Sequence, residues 1–447
     1  MSAGKLPEGW VETQLENIVD ILDSMRVPVN NSERQSRIAG KKENELYPYF
    51  GATGEVGKID DYIFDEELVA LGEDGVPFFD GHKNKAYMLY GKTWVNNHAH
   101  VIRAISGLSH NKYLCHYLNQ FDYHDYVNGG TRLKLTQANM RKLPVSLAPL
   151  AEQKIIAEKI DTLLAQVDST KARLEKIPQI MKRFRQAVLA SAVDETQFKD
   201  SEFYKFKLSE ISNFQSGFAF KSSWFTNIGA CQIVKLANIR DGHLFLENAP
   251  SYIDEMRSVE FNRFAPNIDD ILISMTGTRY KKDYGFCCII KDKKKILINQ
   301  RVGRVMPLKE FIVPEYLLIF MRSELFREQF FKGETGGVNQ GNVGAKHIES
   351  IIINTPTLSK QHEIVRRVEQ LFAYADTIEK QVNNALARVN NLTQSILAKA
   401  FRGELTAQWR AENLDLISGE NSAAALLEKI KAERAASGDK KASRKKS

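Results

Sequence analysis

The residues in this sequence that resemble chemical motifs do not complete a catalytic or metal site. Residues 51–59 resemble a phosphate-binding loop, but Ala52 stands where the first glycine is required and Ile59 where a magnesium-binding Ser or Thr belongs. His98 and His100 could offer two metal ligands from one strand face, yet no nearby Cys or third His completes the set. The loop is interpreted as a glycine-rich turn, and the histidines as structural or DNA-contacting residues.

Motifs for group transfer are also absent from the sequence. There is no Asn/Asp-Pro-Pro-Tyr/Phe run, with which an amino-methyltransferase grips an extruded base, and no G-x-G-x-x-G loop for an adenosyl cofactor. The chain is therefore expected to have no catalytic residues and to bind neither a cofactor nor a metal.

The composition is that of a globular protein. Its 447 residues are enough for about three domains, or for two domains and a long helical element. No apolar run approaches the roughly 20 residues of a membrane span, and residues 1–7 contain no apolar signal core. The four cysteines form no CxxC pair, which is typical of a reducing compartment, so a cytoplasmic location is expected.

Charge is distributed unevenly along the chain. The net charge is +7, of which the last ten residues supply +4. Residues 79–142 hold nine basic and three acidic side chains, and residues 279–309 hold ten and two. Each of these two segments could neutralise DNA phosphates, whereas the basic C-terminal end is interpreted as a disordered tail.

Residue types that read bases are interleaved with these charges, because Arg and Lys bind guanine and Asn and Gln bind adenine in the major groove. The candidate DNA-binding residues are His82, Lys83, Lys85, Asn96, Asn97, His100, Arg132, Lys134, Arg279, Lys281, Lys282, Arg301, Asn339, Gln340 and Lys346. For any single residue, the alternative is a solvated charged face.

A repeat with an offset of 208 residues organises the chain. Leu150–Ile160 resembles Leu358–Val368, and from there apolar residues recur at alternating steps of four and three in both copies, with Thr170 as the exception. This heptad seam predicts two long helices that pair antiparallel within the chain, with a dimerisation coiled coil as the alternative. Pro178 stands where the second copy has Leu386, so a kink or restart is expected near Ile177.

Fainter repeats flank the helices. Gly129-Gly130 and Gly336-Gly337 each lead a polar loop towards a short apolar strand. We predict an α+β fold, in which two mixed α/β domains are separated by two long antiparallel coiled-coil helices with a pseudo-twofold internal repeat. The predicted boundaries are 1–148 and 196–356 for the domains, 149–195 and 357–403 for the helices, and 404–447 for the tail. Two basic segments held apart by a rigid strut suit a bipartite DNA site, whose half-sites lie about 34 Å apart.

Several stretches along the whole chain follow the pattern of one known family. They are Leu6–Trp10, Tyr47–Gly54, Gly72–Gly75, Pro144–Ile156, Asp270–Thr278, Gln361–Ile364 and Ala398–Arg410. In these stretches the sequence resembles type I restriction-modification specificity subunits, most of all the enteric type IA subgroup. The match is tighter in the helices than in the two domains, as expected where the domains change with the DNA sequence that they read.

The resemblance implies a non-catalytic subunit of an adenine-methylating complex that reads double-stranded DNA, one half of a split asymmetric target with each domain. The helices would set the gap between the half-sites and dock two modification subunits, which would carry S-adenosylmethionine. Two restriction subunits would add ATP- and Mg²⁺-dependent translocation and cleavage. No membrane partner is implied.

The resemblance also implies that the tail lies near the N-terminus. The candidate docking residues on the helices are Ile156, Ile160, Leu163, Phe184, Ile364, Val368, Leu371 and Leu392. The alternative function is a duplicated coiled-coil adaptor that does not read DNA.

Overall fold

The computed structural model describes residues 6–130, 132–198 and 202–444, with side chains described as far as residue 436. The chain forms two compact units. The first unit is Met1–Leu174 with Ala385–Ser447, and the second unit is Glu175–Asn384. Within the described ranges, no helix is both long and apolar enough to cross a lipid bilayer.

The domain of the first unit is built on two four-stranded sheets. Its elements are β1 (Val11–Gln14), β2 (Val19–Ile21), α1 (Asn31–Ile38), β3 (Tyr47–Gly51), β4 (Gly54–Ile59), β5 (Phe64–Asp65), β6 (Leu68–Gly72), β7 (Ala86–Leu89), β8 (Lys92–Val95), β9 (Ala99–Ala104), α2 (Asn111–Gln120), α3 (Gln137–Arg141), β10 (Pro144–Leu147) and α4 (Leu150–Leu174). One sheet has the antiparallel order β2-β9-β6-β7, and the other has the order β4-β3-β8-β5 with β3 and β8 parallel. Strand β1 pairs antiparallel with β10, which leads directly into α4.

The second unit repeats this plan with added elements. It contains α5 (Ile177–Ala192), β11 (Phe203–Lys207), α6 (Leu208–Ile211), β12 (Ser212–Ser216), β13 (Cys231–Val234), β14 (Ile239–Arg240), β15 (His243–Leu244), β16 (Tyr252–Ile253), α7 (Glu255–Glu260), β17 (Ile271–Ser274), β18 (Thr276–Thr278), β19 (Cys287–Ile289), β20 (Ile296–Ile298), β21 (Val302–Pro307), α8 (Pro314–Arg322), α9 (Glu324–Lys332), β22 (Glu334–Gly336), β23 (Gln340–Val343), α10 (Ala345–Ser350), β24 (Ile352–Pro356) and the start of α11 (Leu358–Phe401). The sheet order β12-β21-β17-β19 reproduces β2-β9-β6-β7, and parallel β13 and β20 correspond to β3 and β8. The predicted mixed fold with an internal repeat is confirmed in the strand order.

The repeated heptad seam forms an antiparallel helix pair inside each unit. In the first unit, Ile156 and Ile160 of α4 are buried in one core with Leu397 and Ala400 near the end of α11. In the second unit, α5 packs on the first half of α11, where Leu189 and Ala192 share a core with Ile364 and Val368. Further along this pair, Arg185 binds Glu379 at 2.7 Å.

The restart predicted near Ile177 is present. Helix α4 ends at Leu174 and α5 begins at Ile177, with Pro178 in its first turn. Proline is tolerated there because the first helical N–H groups have no partner within the helix. Helix α11, which has Leu386 at the corresponding position, runs unbroken for 44 residues.

Burial corrects half of the docking prediction. The seam residues Ile156, Ile160, Ile364 and Val368 are buried within their own units, so they hold the helix pairs together and are not available to a partner. Of the other candidates, Leu163, Phe184 and Leu371 are half-buried and Leu392 is exposed. A heptad pattern identifies the apolar face of a helix, but the first surface to cover that face is the neighbouring helix.

Repeat-related glutamines attach each helix to its domain. The side-chain amide of buried Gln153 donates to the carbonyl oxygens of Ala148 (2.8 Å) and Leu108 (2.9 Å). Gln361, 208 residues later, is also buried and donates to the carbonyl oxygen of Pro356 at 2.9 Å. The bond to the carbonyl oxygen five residues earlier is therefore common to both copies, whereas the side-chain oxygen of Gln361 also accepts from the Val313 N–H at 2.8 Å.

One buried carboxylate joins the two ends of the chain. The carboxylate of Glu152, which is 0% exposed, accepts hydrogen bonds from the Trp10 indole (2.8 Å) and the Thr406 hydroxyl (2.6 Å), and binds the Arg410 guanidinium at 2.8 Å. The repeat-related position in the second unit is Lys360, which forms a partly exposed pair with Glu363. This closure is thus specific to the first unit.

The C-terminal segment is largely helical. It contains α12 (Ala407–Glu412) and α13 (Ala423–Arg444), and the Ala423 N–H donates to the carbonyl oxygen of Gly9 at 2.9 Å. The disorder predicted for the last ten residues is contradicted as far as Arg444, where α13 ends. The Ala-, Glu- and Lys-rich sequence of this helix has high helix propensity, and Leu427 anchors its first half in the core. The last part of that prediction, residues 445–447, lies outside the described residues.

Candidate nucleic-acid interface

Three chain segments meet in the first unit: the end of β6, the turn between β8 and β9, and the loop that begins at Gly129. The Glu73 N–H donates to the carbonyl oxygen of His98 at 2.8 Å, and the Leu135 N–H donates to that of Glu73 at 2.7 Å. We call this convergence the first loop cluster. It brings the candidates Asn96, Asn97, Arg132 and Lys134 to one end of the sheet.

The second unit contains the same arrangement. The Met275 N–H donates to the carbonyl oxygen of Arg301 at 3.0 Å, and the Val343 N–H donates to that of Met275 at 3.0 Å. Here the loop that begins at Gly336 is regularised into the hairpin β22–β23, which pairs antiparallel with β18. This second loop cluster collects six candidates: Arg279, Lys281, Lys282, Arg301, Asn339 and Gln340.

The first glycine of each pair is required by the backbone. Gly129 has φ +113° and Gly336 has φ +118°, in the region that side chains rarely adopt. A Cβ at Gly129 would lie 2.3 Å from the carbonyl oxygen of Arg132, and one at Gly336 would lie 2.2 Å from that of Gln340. A Cβ at the second glycine of each pair, Gly130 or Gly337, would meet only open space. In both loops it is therefore the first glycine that the turn requires.

Carboxylates sit among the cations of the first loop cluster. Arg132 pairs with Asp74 at 2.8 Å, and Lys134 pairs with Glu73 at 3.2 Å. Burial raises the pKa of the Asp74 carboxyl. The hydrogen bond from Arg132 and the charge of His98 together lower it by a larger amount, so the pKa of Asp74 lies below its usual value. Arg and Lys can bind guanine or phosphate, and these carboxylates can accept from the cytosine amino group.

A buried polar network supports this cluster from below. His100 is 1% exposed, with Nδ1 2.7 Å from Asp23 and Nε2 2.8 Å from the carbonyl oxygen of Leu135. Burial raises the pKa of Asp23, but its hydrogen bonds with His100, Gln137 and the Val101 N–H outweigh that effect and lower the pKa overall. The prediction of His100 as a DNA contact is therefore wrong, because both ring nitrogens hold protein groups in place.

Lys85 is the second candidate that burial removes. It is 2% exposed and its ammonium group donates to the carbonyl oxygen of Asp80 at 2.6 Å, so it cannot reach a phosphate or a base. Burial also lowers the pKa of this ammonium group. The neighbouring candidates His82, Lys83 and Asn97 are exposed, and Asn96 is half-buried, with its side-chain oxygen accepting from the His98 N–H at 2.8 Å.

The cations of the second loop cluster are mostly exposed. Arg279 pairs with Glu334 at 3.2 Å, and Lys281, Lys282 and Arg301 face solvent. Asn339 and Gln340 on the hairpin and Lys346 at the start of α10 are exposed as well. The basic segment 279–309 is not one patch, however, because lysines 291 and 293–295 lie at the opposite end of β19 from Arg279.

The carboxylates Glu73, Asp74 and Glu334 were not among the predicted site residues. The sequence pointed to them only indirectly, because Gly72–Gly75 belongs to the family pattern. Their ion pairs with cations join residues far apart in the sequence and are seen only in the folded structure. Across the part of the chain that the structure describes, no group of three or more His, Cys, Asp or Glu side chains could hold a metal ion.

Comparisons with known proteins agree with this duplicated architecture. The family model for the type I restriction modification DNA specificity domain matches residues 7–179 and 200–388. The chain is 47% identical over 335 residues to the type I restriction enzyme EcoBI specificity subunit of Escherichia coli, which covers 70% of this chain and 69% of that protein. It is 40% identical to the EcoKI specificity subunit of E. coli strain K12 over the full length of both chains.

A solved structure shares the fold. The HsdS subunit from Thermoanaerobacter tengcongensis superposes with a TM-score of 0.58 at 17% identity, over 90% of this chain and 99% of the other. Because both repeats match the family model and a full-length relative is 40% identical, the chain belongs to the family of type I restriction-modification DNA specificity subunits.

Proposed function

We propose that this chain reads a split DNA target, with the first loop cluster contacting one half-site and the second loop cluster contacting the other. The observation that supports this most is that the two clusters share one backbone arrangement but present different side chains. An asymmetric bipartite target requires the same backbone arrangement with different side chains in the two clusters. The backbone positions the side chains on the DNA, and the side-chain contacts to bases determine which sequence is read.

The two clusters favour different contacts. In the first, Arg132 and Lys134 lie beside Glu73 and Asp74, so donors and acceptors are both available to base edges. In the second, Arg279, Lys281, Lys282 and Arg301 give a more uniformly cationic surface, with Asn339 and Gln340 for adenine. Exposed lysines would contribute salt-dependent phosphate contacts that do not depend on sequence.

The chain would act as the non-catalytic member of a larger complex. The proposed partners are two modification subunits that carry S-adenosylmethionine and methylate adenine, and two restriction subunits that use ATP and Mg²⁺. The remaining docking candidates are the half-buried Leu163, Phe184 and Leu371 and the exposed Leu392. Phe184 and Leu371 line an apolar groove between α5 and α11 in the second unit, together with Val188 and Phe198.

The helices are proposed to set the gap between the half-sites. Helix α11 alone is about 66 Å long at 1.5 Å per residue. Inserting one heptad into α4 near Ala165–Val167 should lengthen the tolerated gap without changing the bases read. The same insertion between α12 and α13 is the control and should leave the gap unaltered. If the gap is unchanged in both variants, the helices do not set it.

The decisive experiment maps methylated adenines in a host that carries this chain with its modification subunits. We expect two short sequence blocks separated by an indifferent gap. Replacing residues 1–148 by the corresponding domain of another family member should change one block only. Methylation without sequence preference, or a change in both blocks, would contradict the proposed function and favour an adaptor role.

A further inference from the structure

Two large apolar side chains are exposed at the tips of the second loop cluster. Tyr280 is 78% exposed in the turn after β18, and Val338 is 73% exposed at the tip of the hairpin β22–β23. In the ladder, Thr278 pairs with Gln340, so both tips project from the same end of this three-stranded sheet. The register thus places an aromatic and an aliphatic side chain at one edge.

The surroundings of this pair are cationic and polar. Arg279, Lys281 and Lys282 flank Tyr280, and Asn339 follows Val338. Such a rim would draw the phosphates of a duplex towards the sheet end. The apolar tips would then meet the base pairs rather than solvent.

The loop after β6 in the first unit also contains apolar residues. After β6, Val76 and Phe78 are buried in the domain core. Their burial shows that apolar residues after this strand can be accommodated inside the fold. Phe79 in the same loop is 46% exposed and stacks on His124 with ring centroids 4.1 Å apart. Tyr280 therefore differs from the first unit in being exposed to a larger extent, at 78%.

Building on the proposed function, we propose that Tyr280 and Val338 form a wedge that enters the base stack of the half-site read by the second unit and unstacks one base step. Apolar side chains inserted between base steps kink the duplex, and an aromatic ring can stack on any exposed base. The partner of this surface is thus duplex DNA at a single deformable step.

The test uses the complex of the full chain with its modification subunits and a target duplex identified by methylation mapping. 2-Aminopurine is placed at successive positions of each half-site other than the methylated adenine and its paired base, because the modification subunits would unstack that adenine themselves. Its fluorescence is followed on binding. We expect a rise of at least threefold at one step in the half-site of the second unit. The double variant Tyr280→Ala, Val338→Ser should lose that rise and bind at least tenfold more weakly, whereas Tyr280→Phe should keep it.

The matched control is the double variant Ile228→Ser, Met256→Ser, which removes two exposed apolar side chains elsewhere in the second unit. It should behave like the unmodified chain. If the unmodified complex binds its target specifically without unstacking, or if the rise persists in the Tyr280→Ala, Val338→Ser variant, the wedge is refuted while the proposed function stands. Failure of the unmodified complex to bind specifically would refute the proposed function, and the wedge with it.

Discussion

Replacing Glu152 by Ala is expected to lower the free energy of unfolding of the first unit by about 4 kcal/mol. The carboxylate is completely buried and holds Arg410, Trp10 and Thr406. Its removal leaves the largely buried Arg410 guanidinium without its carboxylate, although one nitrogen still donates to the carbonyl oxygen of Gly403 at 2.6 Å. Losing one member of a buried pair costs roughly 3–5 kcal/mol. The two neutral donors would add about 1 kcal/mol each if the losses were additive, so the expected 4 kcal/mol lies below the simple sum of roughly 5–7 kcal/mol, because contacts that share one carboxylate are not additive.

The control is built into the repeat. Lys360 occupies the position 208 residues after Glu152, but its pair with Glu363 is partly exposed. Lys360→Ala should therefore cost less than about 1 kcal/mol. The comparison separates the effect of the buried contacts from that of changing the first turn of a long helix.

Urea unfolding followed by tryptophan fluorescence measures Glu152→Ala through the first unit, which holds three of the four tryptophans, and Lys360→Ala through Trp224 in the second unit. With a slope of about 3 kcal/mol per molar urea, Glu152→Ala should lower the midpoint by about 1.3 M. Equal, small shifts of the urea midpoint in the two variants would show that the Glu152 carboxylate does not hold the chain ends together. They would refute the argument from its buried charge.

Three further predictions concern the loops, the buried network and the helix restart. Gly336→Ala should weaken binding to one half-site at least tenfold, whereas Gly337→Ala should not. The reason is that only Gly336 has a positive φ and no room for a Cβ. Equal effects of the two substitutions in a binding titration would refute this prediction. Asp23→Asn should cost about 3 kcal/mol at neutral pH by leaving His100 without its carboxylate. Because the folded-state pKa of Asp23 is lowered, this difference should be complete above about pH 4 and close as the pH falls through that lowered value; a urea midpoint difference independent of pH would contradict it. Pro178→Leu should slow amide hydrogen exchange at residues 175–177 by allowing α4 and α5 to join, and unchanged exchange would show that proline is not what separates them.

The helices and their restart could be predicted because their signals are local. Heptad spacing fixes which face of a helix is apolar, and Pro178 acts on its own turn whatever surrounds it. The assignment of Ile156 and Ile364 as docking residues failed for the same reason, since the periodicity cannot say which surface covers the apolar face first. The mixed fold followed from apolar runs and turns, but the strand order did not, because pairing joins residues far apart in sequence.

The candidate site could be predicted only as a set of residue types. Lys85 and exposed Lys83 are indistinguishable in the sequence, and the burial of one is decided by the fold around it. His100 was chosen for its chemistry, yet that chemistry is directed at Asp23 and a main-chain carbonyl. In the C-terminal segment, the basic charge suggested disorder, but the high helix propensity of the sequence has the larger effect. Leu427 also anchors α13 in the core.

The glutamine junctions have a consequence for how this kind of chain can change. Gln153 and Gln361 grip main-chain carbonyl oxygens, which every amino acid supplies. A domain could therefore exchange most of its side chains, or be replaced wholesale by recombination, and still be fastened to its helix by the same bonds. A new DNA specificity could then arise by exchanging a domain while the helix and its hydrogen bonds to the domain are kept.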